Sequence, residues 1–310
     1  MRLNKILTIC LLAFLVFSCD KDDDNGSTPV PLRDRGEQAI ADDQALIEYL
    51  STHFYNYEEF EDPAEDFDYI VRLDTIAGEN ADKTPIIESE KLITKTVNNQ
   101  GVDQQLYVLV VREGEGQKPT FADSTYVTYQ GELLTGTVFD SRLKSPTWFS
   151  LTPYFNRSSI EGTLVEGFPE GLEEFRGATG FTTNPDNTIT WNNDFGVGSI
   201  FMPSGLAYFA AAQPKIPSYS PIIFNINMYR VNEADHDRDG IPSYMEDLDG
   251  DEDLLNDDTD DDGVPNHSDP DDDGDGTPTR EEIVINEDGT ISFPDSNNNG
   301  TPDYLDPDTF

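Results

Sequence analysis

The stretch from Tyr126 to Ser141 places the strongest limit on how this chain can fold. Its sequence, YVTYQGELLTGTVFDS, alternates apolar and polar residues up to a segment bounded by Gly131 and Gly136, and then continues through further apolar residues. Alternation of this kind is typical of a strand with one buried face, and glycines between two such runs indicate a turn. The stretch therefore predicts a half-buried β-hairpin that turns between Gly131 and Gly136.

The residues of this hairpin resemble the signature of the FKBP-type peptidyl-prolyl cis-trans isomerases. In that signature a Val-x-Tyr-x-Gly strand precedes Gly-x-x-Phe-Asp-Ser, and the matching residues here are Val127, Tyr129, Gly131, Gly136, Phe139, Asp140 and Ser141. Further matches follow in the family's order, at residues 106–119, 146–151, 165–172, 202–208, 216–217 and 222–226. The resemblance covers about residues 101–232.

The fold that the resemblance implies is α+β. A curved antiparallel β-sheet would wrap around one short helix, expected at residues 170–176. The run from Leu106 to Val111, LYVLVV, is apolar throughout, which is typical of a strand buried on both faces. An insertion at residues 177–198, with a turn at Asn184 to Asn187, would enlarge one loop of this fold.

The resemblance also implies a pocket for the proline ring of a peptide. Phe168 would form the floor, Asp140 would polarise the rim, and Tyr208 would donate a hydrogen bond to the substrate carbonyl. The other residues of the implied catalytic site are Tyr129, Phe139, Val165, Ile216 and Phe224.

Isomerisation of an X-Pro bond needs no nucleophile, metal or acid–base pair. The barrier of about 18–20 kcal/mol comes from amide resonance, which twisting removes. Residues 101–232 contain no histidine or cysteine. Three departures from the family pattern, at Thr147, Phe168 and Phe209, leave two possibilities open, since the aromatic residues could line a catalytic pocket or only fill a β-core.

Residues 1–18 are interpreted as a lipoprotein signal peptide. Arg2 and Lys5 precede an apolar run from Ile6 to Phe17 that is too short to span a membrane. The Ser18-Cys19 pair that ends it resembles a bacterial lipobox, so Cys19 is expected to carry lipid that anchors the protein to the outer membrane. The alternative is an ordinary secretory peptide with an incidental cysteine.

Residues 19–36 are expected to form an acidic, flexible tether. The run from Asp20 to Asp24 resembles the surface-export tag of some lipoproteins, which would place the protein on the cell surface. The same run could instead be a solvated linker, in which case the periplasmic face is the alternative location.

Residues 37–100 are expected to form an N-terminal module. Leu46, Ile47 and Leu50 have helical spacing and predict a helix at residues 42–53, with His53 as a cap at its end. The aromatic residues between Tyr55 and Tyr69 are expected to pack on a neighbour, with a partner-binding stripe as the alternative. A strand is predicted at residues 89–97.

Residues 233–310 form an acidic tail. They hold 28 acidic and two basic residues of a chain whose net charge is −43. A surface this negative repels phosphate backbones, so nucleic acid is excluded as a partner.

The tail repeats a loop with acidic or amide residues at positions one, three, five and twelve and glycine at position six. This pattern matches the ligand spacing of calcium loops. The ligands expected for Ca²⁺ are Asp235, Asp237, Asp239 and Glu246; Asp258, Asp260, Asp262 and Asp269; Asp271, Asp273, Asp275 and Glu282; and Asp295, Asn297, Asn299 and Asp306. A degenerate copy lies at Asp247, Asp249 and Asp251.

Proline at position eight of each loop removes a backbone N–H that paired EF-hands need. The tail instead resembles thrombospondin type 3 repeats, although without their cysteines. A small hairpin is predicted at residues 283–293, and His236 and His267 are expected to point into solvent. The alternative is a disordered acidic spacer.

Together these features predict a lipid-anchored, exported prolyl isomerase or folding helper. Its partners would be proline-containing client proteins and, through Cys19, a membrane, and calcium would be structural in the tail only. The rival function is a non-catalytic surface binding protein that uses the same pocket for peptides and the tail for adhesion.

Overall fold

The computed structural model describes residues 31–156, 159–161 and 165–309. The predicted signal peptide, Cys19 and most of the tether lie outside these residues. Residues 33–310 form one compact unit. No helix within the described ranges is both long enough and apolar enough to cross a membrane. The domain boundaries within 33–310 stay predictions.

The first element of the described residues is helix α1 (Arg35–Thr52), and the same residues also form the short helices α2 (Tyr57–Glu61), α3 (Gly167–Leu172) and α4 (Thr279–Glu282). The strands of the first half are β1 (His53–Tyr55), β2 (Leu73–Thr75), β3 (Leu92–Asn99), β4 (Val102–Arg112), β5 (Ser124–Leu133), β6 (Val138–Ser141), β7 (Thr147–Ser150), β8 (Tyr154–Asn156) and β9 (Ser159–Glu161). The remaining strands are β10 (Phe181–Thr183), β11 (Ile189–Trp191), β12 (Gly196–Met202), β13 (Ile222–Asn232), β14 (Val284–Ile285) and β15 (Ile291–Ser292).

Seven of these strands form one antiparallel sheet. Its order is β3-β4-β12-β13-β5-β6, and β7 pairs with the first four residues of β5, Ser124 to Val127. Helix α3 packs against this sheet through Phe168 and Leu172, which join the core that also contains Ile200 and Met202. The expected α+β arrangement of an antiparallel sheet around a short helix is confirmed.

Strand β4 is buried on both faces, as its continuous apolar run predicts. Leu106 and Val108 face the core on the α3 side of the sheet. Tyr107 and Leu109 face a second core, in which Leu46 of α1 packs. The sheet therefore has helices on both sides, and α1 covers the face opposite the predicted pocket helix.

Helix α1 begins seven residues before the predicted start at Asp42. Asp34 is its N-cap, and the Asp34 Oδ1 accepts a hydrogen bond of 2.9 Å from the backbone N–H of Glu37. Such a cap satisfies one of the free N–H groups of the first turn and so fixes where the helix starts. His53 is the C-cap residue, as expected, and its ring stacks on that of Tyr49.

The aromatic connector between β1 and β2 packs on the rest of the molecule, as expected. Tyr55 is buried in the second core, with Tyr57, Phe60 and Tyr69 packed against it. The ring centroids of Phe60 and Phe67 lie 4.9 Å apart in an edge-on arrangement. The connector thus extends the second core beyond the sheet.

The predicted hairpin is present between β5 and β6. Its turn follows Leu133, within the predicted interval, and Gly131 itself stays in the strand opposite Phe224. The predicted bounds of α3 are wrong. Helix α3 covers Gly167–Leu172 instead of residues 170–176. The predicted insertion forms the β10–β11 hairpin, whose turn at Asn184 to Asn187 is closed by a hydrogen bond from Asn187 to the Asn184 carbonyl.

The tail packs against the sheet domain. The backbone N–H of Ala234 donates to the buried Asp123 Oδ1 at 3.1 Å. A small apolar core of Ile241, Ile283 and Tyr304 holds the tail's own loops together. The predicted hairpin is present as β14 and β15, with its turn at Gly289.

Candidate functional site

A cavity of about 720 Å³ opens where β5, β6, β7, β13 and the first turn of α3 meet. All eight residues of the predicted catalytic site line it, namely Tyr129, Phe139, Asp140, Val165, Phe168, Tyr208, Ile216 and Phe224. These residues come from distant parts of the chain, and the sheet brings them together at one end. Their catalytic roles stay predictions.

Phe168 lies at the centre of an aromatic cluster. It is 3 % exposed, and its ring centroid lies 4.9 Å from that of Phe224 and 5.2 Å from that of Phe149. Phe139 contacts the far side of Phe224 edge-on at 5.6 Å. The cluster is a dry, apolar surface of the kind that a proline ring can pack against.

Phe149 is a wall residue that the sequence reasoning missed. It lies on β7, two positions after Thr147, and therefore points to the same face of the sheet. Thr147 does not line the cavity, whereas Phe149 does. Because side chains of a strand alternate between its two faces, the predicted position of Thr147 could also have indicated Phe149.

Asp140 is fixed at the rim by Tyr129. The Tyr129 hydroxyl donates to the Asp140 Oδ2 at 2.6 Å, and the Ser141 N–H donates to the Oδ1 at 2.8 Å. Burial and this hydrogen bond raise the pKa of Tyr129 to about 12. The phenol therefore stays protonated and holds the carboxylate in one orientation over the physiological pH range.

Gly131 makes room for the aromatic wall. A Cβ atom at this position would lie 2.4 Å from the Phe139 ring and 2.9 Å from the Phe224 ring. Only glycine lets these two rings approach the strand so closely. The close packing of these rings therefore explains the glycine at this position, which lies within strand β5 and not in a turn.

Tyr208 lies in the segment after β12 and lines the cavity. Burial, and then the negative charge of Asp140, raise the pKa of Tyr208, so its hydroxyl stays a donor at neutral pH. Phe209, which stands where the family pattern has glycine, adopts a left-handed φ of 46°. Its N–H donates to the Ser204 carbonyl at 2.8 Å, which closes this loop despite the strained backbone.

Helix α1 and the end of β3 also reach the cavity, which the sequence did not predict, and Arg35 lies in this helix although it was expected in the flexible tether. Arg35 of α1 and the β3–β4 turn residues Asn99 and Gln100 line it together with the predicted residues. No local pattern marks Arg35, because its position depends on how α1 packs across the sheet.

The tail loops share one backbone geometry. In each complete loop the residue at position nine donates its N–H to the carbonyl just before the loop, at 2.8–3.0 Å, and the donors are Ser243, Asn266, Thr279 and Asp303. The side chains of the same four residues accept from the N–H at position two. Glycine at position six has a left-handed φ in every loop, at Gly240, Gly263, Gly276 and Gly300.

The structure brings together two of the predicted ligand triplets and the three acids of the degenerate copy. Each triplet has ligand atoms within 4.8 Å of one another, and they are Asp247, Asp249 and Asp251; Asp258, Asp260 and Asp262; and Asp271, Asp273 and Asp275. In the last loop, the amides of Asn297 and Asn299 both donate to the Asp306 Oδ2 at 2.8 Å.

The acids predicted as position-twelve ligands of the middle loops interact electrostatically with the corresponding triplets. Burial, and then the charges of Asp262 and Asp260, raise the pKa of Asp269 to about 6. Burial, and then the charges of Asp273 and Asp275, raise the pKa of Glu282 to about 7.

The first loop differs from the sequence pattern. Asp237, Asp239 and Glu246 converge with Asp272, which comes from the third loop, while Asp235 lies outside this group and accepts from the Arg238 N–H. We call Asp237, Asp239, Glu246 and Asp272 the four-carboxylate cluster. Asp272 was missed, because position two of a loop normally points away from the ligand centre.

The four-carboxylate cluster fits a cation. Glu246 is 1 % and Asp272 2 % exposed, and both oxygens of each lack a hydrogen-bond partner within the described chain. None of the ion pairs that the described residues form involves these acids. Burial, and then the charge of Asp237, raise the pKa of Glu246 to about 11. Hard oxygen donors of this kind are the ligands that Ca²⁺ prefers.

The prediction that His236 and His267 point into solvent is wrong. His267 is fully buried, and its ring centroid lies 5.7 Å from that of His236. The His267 Nδ1 lies 3.2 Å from the Leu254 carbonyl oxygen. Burial lowers the pKa of His267 to about 4, so the ring is neutral and forms part of the packed tail.

Sequence comparison supports homology of this chain to peptidyl-prolyl cis-trans isomerases of the FKBP type. Peptidyl-prolyl cis-trans isomerase Mip of Coxiella burnetii is 27 % identical over 152 residues, which cover 47 % of this chain and 54 % of the relative. The probable FKBP-type isomerase FkpA of Neisseria meningitidis is 25 % identical over 130 residues, or 41 % of this chain and 38 % of the relative.

The chain thus spans about half the length, or less, of these curated relatives. The match to the crystal structure of FkpA from Escherichia coli covers 63 % of this chain and 62 % of the FkpA chain, with 20 % sequence identity and a TM-score of 0.35. A family described as BamM C-terminal matches residues 236–293, within the tail.

Proposed function

We propose that the sheet domain catalyses the cis–trans isomerisation of X-Pro bonds in client proteins. The observation that carries the proposal is the convergence of all eight predicted residues on one cavity whose floor is the buried Phe168. Homology to FKBP-type isomerases supports the same activity.

In this proposal the proline ring packs on Phe168 between Phe224 and Phe149. A planar amide loses hydration in such an apolar cavity, which disfavours the resonance form that resists twisting. The Tyr208 hydroxyl donates to the substrate carbonyl, and Asp140, held by Tyr129, orients the charge at the rim. These fixed dipoles act without any covalent step.

The activity is tested on a short X-Pro peptide by NMR exchange spectroscopy. Tyr208→Phe and Asp140→Ala should each lower kcat/KM about five- to tenfold, the effect of losing one hydrogen bond in the transition state. Tyr126→Phe, which removes a hydroxyl outside the cavity, is the matched control and should leave the rate unchanged.

Turnover equal to that in buffer, from protein shown to be folded, would exclude the enzyme. If such protein still bound the peptide, the rival function of a non-catalytic binding protein would replace it. The strained Phe209 loop is the feature that favours this second function.

We also propose that the tail binds structural Ca²⁺. Support comes from the four loops with the same backbone hydrogen bonds and from the buried, unpartnered oxygens of the four-carboxylate cluster. Ions bound there would be held by the predicted ligands together with Asp272. Exposed modules of this class bind calcium with dissociation constants of about 10⁻⁴–10⁻³ M.

Chelation should make residues 233–310 sensitive to added protease while the sheet domain stays resistant. Without a cation, the carboxylates of each loop repel one another, and little apolar surface offsets the cost of ordering the chain. Identical cleavage with calcium and with chelator, together with no calorimetric binding at millimolar calcium, would reduce the tail to an acidic spacer.

Lipid attachment at Cys19 and export to the outer membrane, at the cell surface or on the periplasmic face, complete the proposal. The experiment is Cys19→Ala, which should release the protein from membranes or leave its signal peptide uncleaved. Protease added to intact cells separates the two faces, because only a surface protein is degraded.

A further inference from the structure

Arg35 is a cation in a cavity that is otherwise lined by acids and uncharged residues. Of the described residues around the cavity, Asp140 and Glu166 are the acidic ones and Arg35 is the single basic one. The Arg35 Nη1 is buried and has no hydrogen-bond partner in the described chain. A buried guanidinium donor without an acceptor is costly unless a ligand supplies one.

The position of Arg35 is fixed by its surroundings. Its Cζ lies 4.2 Å from the centre of the Phe209 ring, a stacking distance that orients the planar guanidinium. Helix α1 is held against the same loop by Asp42, whose Oδ2 accepts from the Ser204 N–H at 2.8 Å and from the Ser204 Oγ at 2.6 Å. The donor is therefore presented by a rigid element, which reduces the entropy that binding would cost.

Two further residues strengthen this attachment. The Gln38 amide donates to the Asp42 Oδ1 at 2.6 Å, and Arg33 donates in turn to the Gln38 Oε1 at 2.7 Å. Arg33 itself stacks on Tyr219 and does not line the cavity. Two arginines close in sequence thus have different environments. Arg33 donates to Gln38 outside the cavity, whereas Arg35 lines the cavity and its Nη1 has no hydrogen-bond partner in the described chain.

We propose that Arg35 forms a subsite for a carboxylate next to the proline, so that the protein selects clients with an acidic residue adjacent to the X-Pro bond. Guanidinium groups bind carboxylates through two parallel hydrogen bonds, which gives geometric selectivity as well as attraction. The inference rests on the proposed peptide-binding cavity and names the class of peptide that fills it.

The test uses four peptides with neutral ends that carry Glu or Gln directly before or directly after the proline. Binding is measured by fluorescence anisotropy and turnover by NMR exchange spectroscopy on the purified protein. At one of the two positions the protein should prefer Glu over Gln about fivefold in both Kd and kcat/KM. High salt should weaken this preference, because it screens the charges.

Arg35→Gln should abolish the preference, and Arg35→Lys should retain part of it. Arg72→Gln is the matched control, because it removes the same charge at an exposed position that does not line the cavity, and it should keep the full preference. A preference that persists in Arg35→Gln, or no preference in the unmodified protein, would overturn the inference.

The outcomes separate this inference from the proposed function. Turnover without charge preference contradicts the Arg35 subsite alone. Charge-selective binding without turnover supports the subsite and contradicts the isomerase. Failure of all four peptides to bind contradicts both.

Discussion

At the residue scale, the cavity depends on how closely aromatic rings approach the β5 backbone. Gly131 lies against Phe139 and Phe224 at distances that no side chain tolerates. The hydroxyl of Tyr129 is the other fixed point, because it orients Asp140. Changing either contact should therefore alter turnover or the free energy of unfolding.

Gly131→Ala should destabilise the protein by about 1–3 kcal/mol, because the new methyl group displaces the Phe139 ring, and should also lower turnover per folded molecule. Gly136→Ala is the control, since its φ of 76° strains any other residue but an added Cβ would meet no atom within 4 Å. It should cost about 1 kcal/mol and leave turnover unchanged. Urea unfolding and NMR exchange measure the two effects, and equal turnover losses in both variants would contradict the packing argument.

The pH dependence of turnover follows from the tyrosines. An ordinary tyrosine ionises near pH 10, whereas the pKa of Tyr129 is raised to about 12 and that of Tyr208 is also raised. A raised pKa keeps the neutral donor up to a higher pH, so turnover should be constant from about pH 7 to about pH 10. A loss of turnover with a midpoint below about pH 10 that is absent in Tyr129→Phe would contradict this expectation.

Much of the site was predictable residue by residue, and the exceptions share a cause. Phe168, Asp140 and the other six residues were predicted because they match motifs of the FKBP-type family in sequence order. Arg35 and Asp272 belong to segments that reach their neighbours only through tertiary packing. No spacing rule relates Arg35 to Ser204, or position two of one tail loop to the centre of another.

At the scale of elements, α1 works as a brace for the loop that carries Tyr208. The sequence predicted the apolar face of this helix, but its true start depends on the Asp34 cap. The bounds of helix α3 also differ from the predicted ones, because the packing of Phe168 and Gly171 on the sheet determines where the helix lies. The apolar periodicity of the sequence predicted α1, and the family resemblance predicted α3. The ends of both helices depend on hydrogen bonds and close contacts that neither signal contains.

Asp42→Ala tests the brace. It leaves the N–H and hydroxyl of the buried Ser204 without their acceptor, which should cost about 1–3 kcal/mol of stability. Glu48→Ala, on the exposed side of the same helix, should change stability by less than about 0.5 kcal/mol. Chemical unfolding measures both, and matching values for the two variants would mean that α1 does not brace the loop.

At the scale of the whole molecule, the four-carboxylate cluster connects two loops of the tail. Asp272 belongs to the third loop by sequence and to the first by position. A cation in the four-carboxylate cluster would therefore link two loops that are separated in the chain by the whole second loop.

Asp272→Asn should weaken calcium binding at one site about tenfold or more and expose both loops to protease, because one ligand charge is lost. Asp261→Asn is the control, since Asp261 is exposed, lies outside every carboxylate group of the described residues and has a left-handed φ that asparagine tolerates. Calorimetry and limited proteolysis measure the outcome. Unchanged calcium binding by Asp272→Asn would show that each calcium site is formed by a single loop.

The strand order has a consequence for when this chain can fold. Strands β12 and β13 come last among the strands of the main sheet yet lie between β4 and β5 at its centre. Until Asn232 is available, the two earlier parts of the sheet have no complete partner to join them, and the cavity lacks Phe224 while β13 is unfinished. We therefore expect that a chain synthesised from its N-terminus cannot complete the sheet until this late segment is available, and that the non-local pairing of β12 and β13 slows folding.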